Sequence, residues 1–244
     1  MNYLFIVLLT LLTTTYSSSA LLSLSSKNVV IVGGGSVGST LAKAIDASGK
    51  ALTVVIAARD PEKTKAKLAE QNLDLKVETV ASAIASGDIL ILATPSAYSD
   101  DGIQEIAKSL GDVSSKIIID ATNPLSGFAD GLQVRWAQGT SGGEVLQKAL
   151  PTCRVYKAFN TVGVEHMADA AGKDMLFCGA PEDMNLIAQV IAAVGFNPFY
   201  VGPIRYARNL EAMAELWIHC SIPPLPAKNL GRDWSFGIAG NPEK

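Results

Sequence analysis

Residues Lys27 to Lys50 read KNVVIVGGGSVGSTLAKAIDASGK, and no other stretch restricts the fold as strongly. The β-branched apolar run Val29 to Val32 favours a strand buried on both faces. Gly33, Gly34, Gly35, Ser36, Val37 and Gly38 follow at once and fit G-x-G-x-x-G. A helical pattern comes next, with Val37, Leu41 and Ile45 on one face and Gly49 as its stop. Strand, glycine turn and helix in that order give the fingerprint its mechanical meaning. Gly33 permits the tight turn, Gly35 lets a pyrophosphate approach the backbone, and Gly38 lets helix and strand pack closely. The helix start adds free N–H groups and partial positive charge. The segment reads as the first βα turn of a dinucleotide-binding fold.

The rest of the chain repeats the alternation. Leu52 to Ala57 is a second apolar run, a charged helix spans about Pro61 to Gln71, and LKVETV is a short third strand. DILILATP, Asp88 to Pro95, and KIIIDATNPL, Lys116 to Leu125, are continuous apolar strands of the doubly buried kind. Such alternation implies right-handed βαβ units, hence an α/β protein with a doubly wound, mostly parallel Rossmann sheet. After Pro124 a glycine-rich stretch carries no predicted element. Ser141 to Glu144 (SGGE) has capping-box spacing and opens a helix ending near Leu150. CRVYKAFNTVG is a strand running into a loop. DMLFCGAPEDMNLIAQVIAAVGF reads as a strand, a helix started by Pro181 and a stop at Gly195. A last apolar helix at about Asn209 to Cys220 precedes the proline-broken tail SIPPLPAKNLGRDWSFGIAG. The predicted units are a nucleotide-binding domain at 27–160 and a small C-terminal α/β lobe with a helical tail at 161–244.

Composition excludes several functions. With 244 residues, 48% of them hydrophobic, the chain can fill one large core. A net charge of −3 gives no nucleic-acid-binding surface. Cys153, Cys178 and Cys220 form no C-x-x-C pair, and His166 and His219 are the only histidines, so no metal centre is expected. The first twenty residues, MNYLFIVLLTLLTTTYSSSA, hold an apolar run of about ten residues, short of the roughly twenty a membrane span needs. Small residues follow it, as in a cleavable leader ending near Ala20 that directs the chain to the secretory pathway or a plastid.

The end of the second strand selects the nucleotide. A carboxylate about 20 residues past the glycines holds the ribose hydroxyls in NAD sites, and an arginine accommodates the extra phosphate of NADP. Counting onward reaches Ala58 and then Arg59, whose planar fork of donors suits a phosphate dianion. Lys63 follows one helical turn later. Asp60 is read as the cap of the helix that Pro61 begins. Polar residues at the carboxyl ends of the other strands, Thr94 and Pro95, Asn123, and Asn160 and Thr161, would ring the nicotinamide end. His166, just beyond Thr161, is the candidate proton donor.

The pieces IVGGGSVGSTLA, AARDPEK, IDATNPL, VYKAFNTVGVEHM, GPIRYARNLE and NLGRDWSF resemble the coenzyme F-420 (deazaflavin)-dependent NADP oxidoreductases and their NADP-binding relatives. The resemblance implies that Gly34 to Val37 hold the pyrophosphate and that Ala58, Arg59 and Lys63 hold the 2′-phosphate. It places the Thr94–Pro95 and Asn123 loops by the nicotinamide and turns Asn160 and Thr161 toward the acceptor pocket. The chain departs from the family at Ala58, where a serine or threonine is usual. The implied activity is hydride transfer between NADP(H) and a deazaflavin, flavin or other small acceptor. A similar domain is the NADPH-binding part of six-transmembrane metalloreductases. Alternatives are an imine reductase like pyrroline-5-carboxylate reductase, which shares the N-terminal fold, and a non-enzymatic NADP(H) sensor. A homodimer is left open.

Overall fold

The computed structural model describes residues 23–128, 131–136, 139–222 and 229–239; the leader read at 1–20 lies outside them. The strand–glycine–helix segment forms β1 (Asn28–Val32) and α1 (Ser36–Ser48), and α1 stops at Gly49 in the left-handed region. Then come β2 (Thr53–Ala58), α2 (Pro61–Glu70), β3 (Val77–Thr79), α3 (Val80–Ser86), β4 (Ile89–Leu92), α4 (Asp100–Ser109) and β5 (Ile117–Asp120). These five strands and β8 (Arg154–Lys157) build a single six-stranded sheet. Its order is β3-β2-β1-β4-β5-β8 and every pairing is parallel.

Residue alternation on the central strands explains the layering. Val29 and Ile31 of β1 pack into one apolar cluster and Val30 and Val32 into the other; Ile89 and Ile91 of β4 likewise oppose Leu90 and Leu92. A strand buried on both faces needs no polar alternation, which is why these runs read as continuous. α1, with Leu41 and Ile45, covers the first face, and α3 and α4, with Ala83, Ile84, Ile103 and Ala107, cover the second.

The glycine-rich stretch after Pro124 is an antiparallel hairpin, β6 (Leu125–Phe128) with β7 (Gly131–Val134). α5 (Gly142–Ala149) follows, capped by Ser141 as its spacing predicts. Past β8 come α6 (Val164–Ala168), β9 (Asp174–Phe177), α7 (Met184–Val194), β10 (Asn197–Tyr200) and α8 (Ala207–Ser221). β9 and β10 pair in parallel, and a Lys157–Cys178 bridge joins them to the edge of the main sheet. Phe177, Leu186 and Val190 share a cluster with Leu41 and Ile45 of α1, so β9 and α7 pack against the helix that covers the six-stranded sheet. Pro181 opens a single 3-10 turn, and α7 begins three residues later. No helix among the described residues is long and apolar enough to cross a membrane.

Candidate functional site

The carboxyl ends of β1, β2, β4, β5 and β8 lie along one edge of the sheet, where open α/β folds hold ligands. At its centre is the glycine turn. Gly33 has φ +116, and a Cβ there would sit 2.6 Å from the carbonyl oxygen of Ala93. A Cβ on Gly38 would be 1.9 Å from the carbonyl oxygen of Gly33, so α1 approaches its strand only because both are glycine. Gly35 is the opposite case: no atom lies within 4 Å of the Cβ position. It is the N-cap of α1 and provides no side-chain cap, which leaves open space in front of the helix start. The Ser39 hydroxyl donates back to the Gly35 carbonyl at 2.9 Å and anchors the turn from behind. A crowded pair flanking an open glycine at a helix N-terminus fits a pyrophosphate.

β2 delivers the next corner. Ala58 is buried, while Arg59 and Lys63 are exposed. The Asp60 carboxylate accepts the Lys63 backbone N–H at 3.0 Å, and Pro61 opens α2, so the acid is committed to the cap. Thr64, which sequence reasoning passed over, brings this corner to the glycine turn: a Cβ on Gly34 would meet its methyl at 2.6 Å.

The other strand ends meet on the far side of the turn. The Gly33 Cβ position lies 3.4 Å from the Thr94 nitrogen, and Asn123 N–H donates to the Ser96 hydroxyl at 2.9 Å. Asn123 and Asn160 bind each other twice. The Asn123 amide donates to the Asn160 carbonyl at 2.9 Å, and the Asn160 amide donates to Asn123 Oδ1 at 3.0 Å and to the Leu210 carbonyl at 2.9 Å. Both Asn160 donors face acceptors, which fixes the orientation of its amide. Asn160 Oδ1 and Thr94 Oγ1 are the two buried side-chain polar atoms left without a partner among the described residues. Such atoms are uncommon in a folded interior, and both lie at strand ends on this edge. Thr161 is buried beside Asn160, whereas Pro95 is exposed. Phe159, fully buried, has φ +64, a left-handed conformation rare for a bulky side chain.

Beneath these ends lies an ion cluster of Asp120, Lys157 and Glu211, to which the sequence reading gave no role. Burial alone would lower the Lys157 pKa, but the two carboxylates outweigh it and hold the ammonium above the ordinary lysine value. Arg208, one turn of α8 before Glu211, forks onto Glu144 with two contacts of 2.7 Å and does not join the cluster.

The candidate proton donor is placed differently. His166 is buried in α6, with Nε2 at 3.0 Å from the Arg232 carbonyl oxygen. Around it the tail docks on α6 and α8: Arg232 forks onto Glu165, and the Trp217 indole N–H donates to the Trp234 carbonyl at 2.8 Å. That is the geometry of a histidine tying a tail to the fold.

Together the sheet order, the glycine turn and the strand-end edge define a fold of the Rossmann type. Residues 28–124 match the family model described as NADP oxidoreductase coenzyme F420-dependent. The metalloreductase STEAP3 of Rattus norvegicus is 25% identical over 169 residues, 68% of this chain and 32% of that protein. The chain thus spans about a third of that relative's length. Among solved structures, a protein assigned as an F420-dependent NADP reductase from an Arthrobacter species is 26% identical with a TM-score of 0.64, covering 79% of this chain and 92% of that one. A hypothetical protein of Sinorhizobium meliloti is 25% identical with a TM-score of 0.63, covering 75% and 89%. A reductive aminase from Aspergillus terreus, in complex with NADPH and ethyl levulinate, shares the fold at 19% identity and a TM-score of 0.57, covering 80% and 65%. In sequence and in fold the chain is thus similar to proteins described as NADP-dependent oxidoreductases.

Proposed function

We propose that this chain is an NADPH-dependent oxidoreductase that reduces a small acceptor of the deazaflavin or flavin type. The observation that carries the choice of nucleotide is the end of β2. The position of a ribose-binding carboxylate is taken by buried Ala58 and exposed Arg59, and the nearby acid, Asp60, is held by the cap of α2. Gly34 to Val37 hold the pyrophosphate in this reading, and Arg59 and Lys63 hold the 2′-phosphate. Thr94, Pro95 and Asn123 adjoin the nicotinamide, and Asn160 and Thr161 adjoin the acceptor. When bound, NADPH supplies a hydride; the protein's share is alignment and exclusion of water. His166, engaged with the tail through Nε2, is given no role in this reading.

The reading is tested by titrating the protein with NADPH and NADH. The expected result is a preference for NADPH that Arg59→Asp removes, a loss of about 2 kcal/mol or more in NADPH binding, the scale of charged hydrogen bonds. Equal wild-type affinities would sink the 2′-phosphate assignment. A panel of deazaflavin, flavin, quinone, imine and ferric-chelate acceptors then identifies what receives the hydride. The likeness to a metalloreductase makes the ferric arm the second reading. Tight NADPH binding with no acceptor reduced would favour a redox sensor. The leader at 1–20 is proposed to direct export or plastid import, which sequencing the amino terminus of the native protein would check.

A further inference from the structure

A lysine in the run of buried residues Val155, Tyr156, Ala158 and Phe159 calls for a reason. Lys157 is fully enclosed, and its three ammonium hydrogens meet Asp120 Oδ2 at 2.8 Å, the Thr122 carbonyl at 2.7 Å and Glu211 Oε1 at 2.9 Å. The second Asp120 oxygen accepts the Thr122 N–H at 2.9 Å and the Thr122 hydroxyl at 2.7 Å. Glu211, also fully enclosed, accepts the N–H groups of Gly142 at 2.9 Å and Gly143 at 3.0 Å at the start of α5. A Cβ on Gly142 would press to 3.2 Å from Glu211 Oε1, so the absence of a side chain there makes room for that carboxylate. The network is satisfied throughout, which makes it rigid.

The contacts close a ring. Lys157 holds the Thr122 carbonyl; the next residue, Asn123, is bound twice to Asn160; Asn160 donates to the Leu210 carbonyl; and Glu211, the next residue, returns to Lys157. Inside the ring Phe159 keeps its left-handed backbone, which persists only where the surroundings over-determine it. Apolar side chains of similar volume commonly stabilise a fold as well as buried ions do, so stability alone is a poor account of the charges. The geometry points to Lys157 as a positioning residue: with Asp120 and Glu211 it fixes the Asn123 and Asn160 segments at the nicotinamide end of the crevice. This rests on the NADPH reading above.

The test compares two ligands on the full-length protein and its Lys157→Met variant. One is NADPH; the other is adenosine 2′,5′-bisphosphate, which carries the 2′-phosphate and lacks the nicotinamide. Misplacement of the nicotinamide end should weaken NADPH about tenfold and shift the fluorescence of the bound dihydronicotinamide, leaving the bisphosphate within about twofold. Equal loss of both ligands, or no change in either, would overturn the inference. If wild-type protein binds neither ligand, the NADPH reading itself fails, a result distinct from any variant effect. Should Lys157→Met not fold, the near-isosteric Glu211→Gln carries the same comparison. Failure of both to fold would make the cluster a stability element and overturn the positioning role.

Discussion

Arg59 and Lys63 stand on an exposed helix start at the proposed 2′-phosphate corner, whereas Asn123 and Asn160 at the opposite end are held by buried groups from distant segments. The first end is local: its cap, Asp60 to Lys63, spans three residues. The second is assembled across the fold, with side-chain contacts spanning between 35 and 50 residues. The tasks proposed for the two ends account for the difference. A phosphate dianion can be met by long, mobile cations because charge attraction tolerates small displacements. Hydride transfer does not, since misplacement by about 1 Å can cost roughly a hundredfold in rate. On that proposal one end serves charge and the other registry.

The largest expected effect breaks the buried end. Asp120→Ala leaves Lys157 with one carboxylate and strands the Thr122 N–H and hydroxyl in the interior. Removing one partner from a buried ion pair typically costs about 3–5 kcal/mol, and urea denaturation should show a loss of that size. Arg59→Ala, at the exposed corner, should move the midpoint hardly at all. Comparable losses from both substitutions would erase the distinction between the two ends.

A second comparison separates fold from ligand within the glycine turn. Gly38→Ala forces a methyl against the Gly33 carbonyl, so both stability and NADPH binding should fall, the former by about 1–3 kcal/mol as overpacking usually costs. Gly35 has φ −77 and ψ −176, a conformation alanine adopts freely, and open space around it. Gly35→Ala should keep stability within about 1 kcal/mol while NADPH affinity drops about tenfold, because the methyl occupies the space a phosphate would enter. Calorimetry of both variants with and without NADPH checks the split. Unchanged NADPH affinity in Gly35→Ala would move the phosphate site elsewhere.

What could be read from the sequence follows the same division. The glycine turn and Asp60 cap were legible because their contacts lie within a few residues, where spacing encodes geometry. The strand-end residues Thr94, Asn123 and Asn160 were legible as positions, since strands show where they stop. Their pairing was not, because nothing in spacing says which strand neighbours which. The ion cluster left a fainter signal: Asp120 ends the run IIID, Lys157 interrupts VYKAF, and Glu211 falls in the buried stripe of Ala207, Leu210 and Ala214. Three charges in core positions, one cationic and two anionic, ask to be matched to each other. The β6–β7 hairpin and β10 escaped for other reasons. The former is rich in glycine, and the latter carries Pro198 and exposed Phe199 at a sheet edge.

The smallest expected effect sharpens the exposed end. Asp60 lies between Arg59 and the first residue of α2, and its charge would oppose a phosphate unless the cap holds it away. Two substitutions separate cap from charge. Asp60→Asn keeps an N-cap of about equal quality and removes the charge, so stability should stay put. NADPH affinity should rise by at most a few-fold, the roughly 0.2–1 kcal/mol typical of exposed charge pairs. Asp60→Ala removes both, so α2 should lose about 1 kcal/mol of capping while the nucleotide preference is retained. Titrations with NADPH and NADH, paired with urea denaturation, read the two effects independently. If Asp60→Asn instead weakened NADH selectively, Asp60 would be holding ribose hydroxyls. The corner would then belong to the NAD type, with Arg59 only an exposed neighbour.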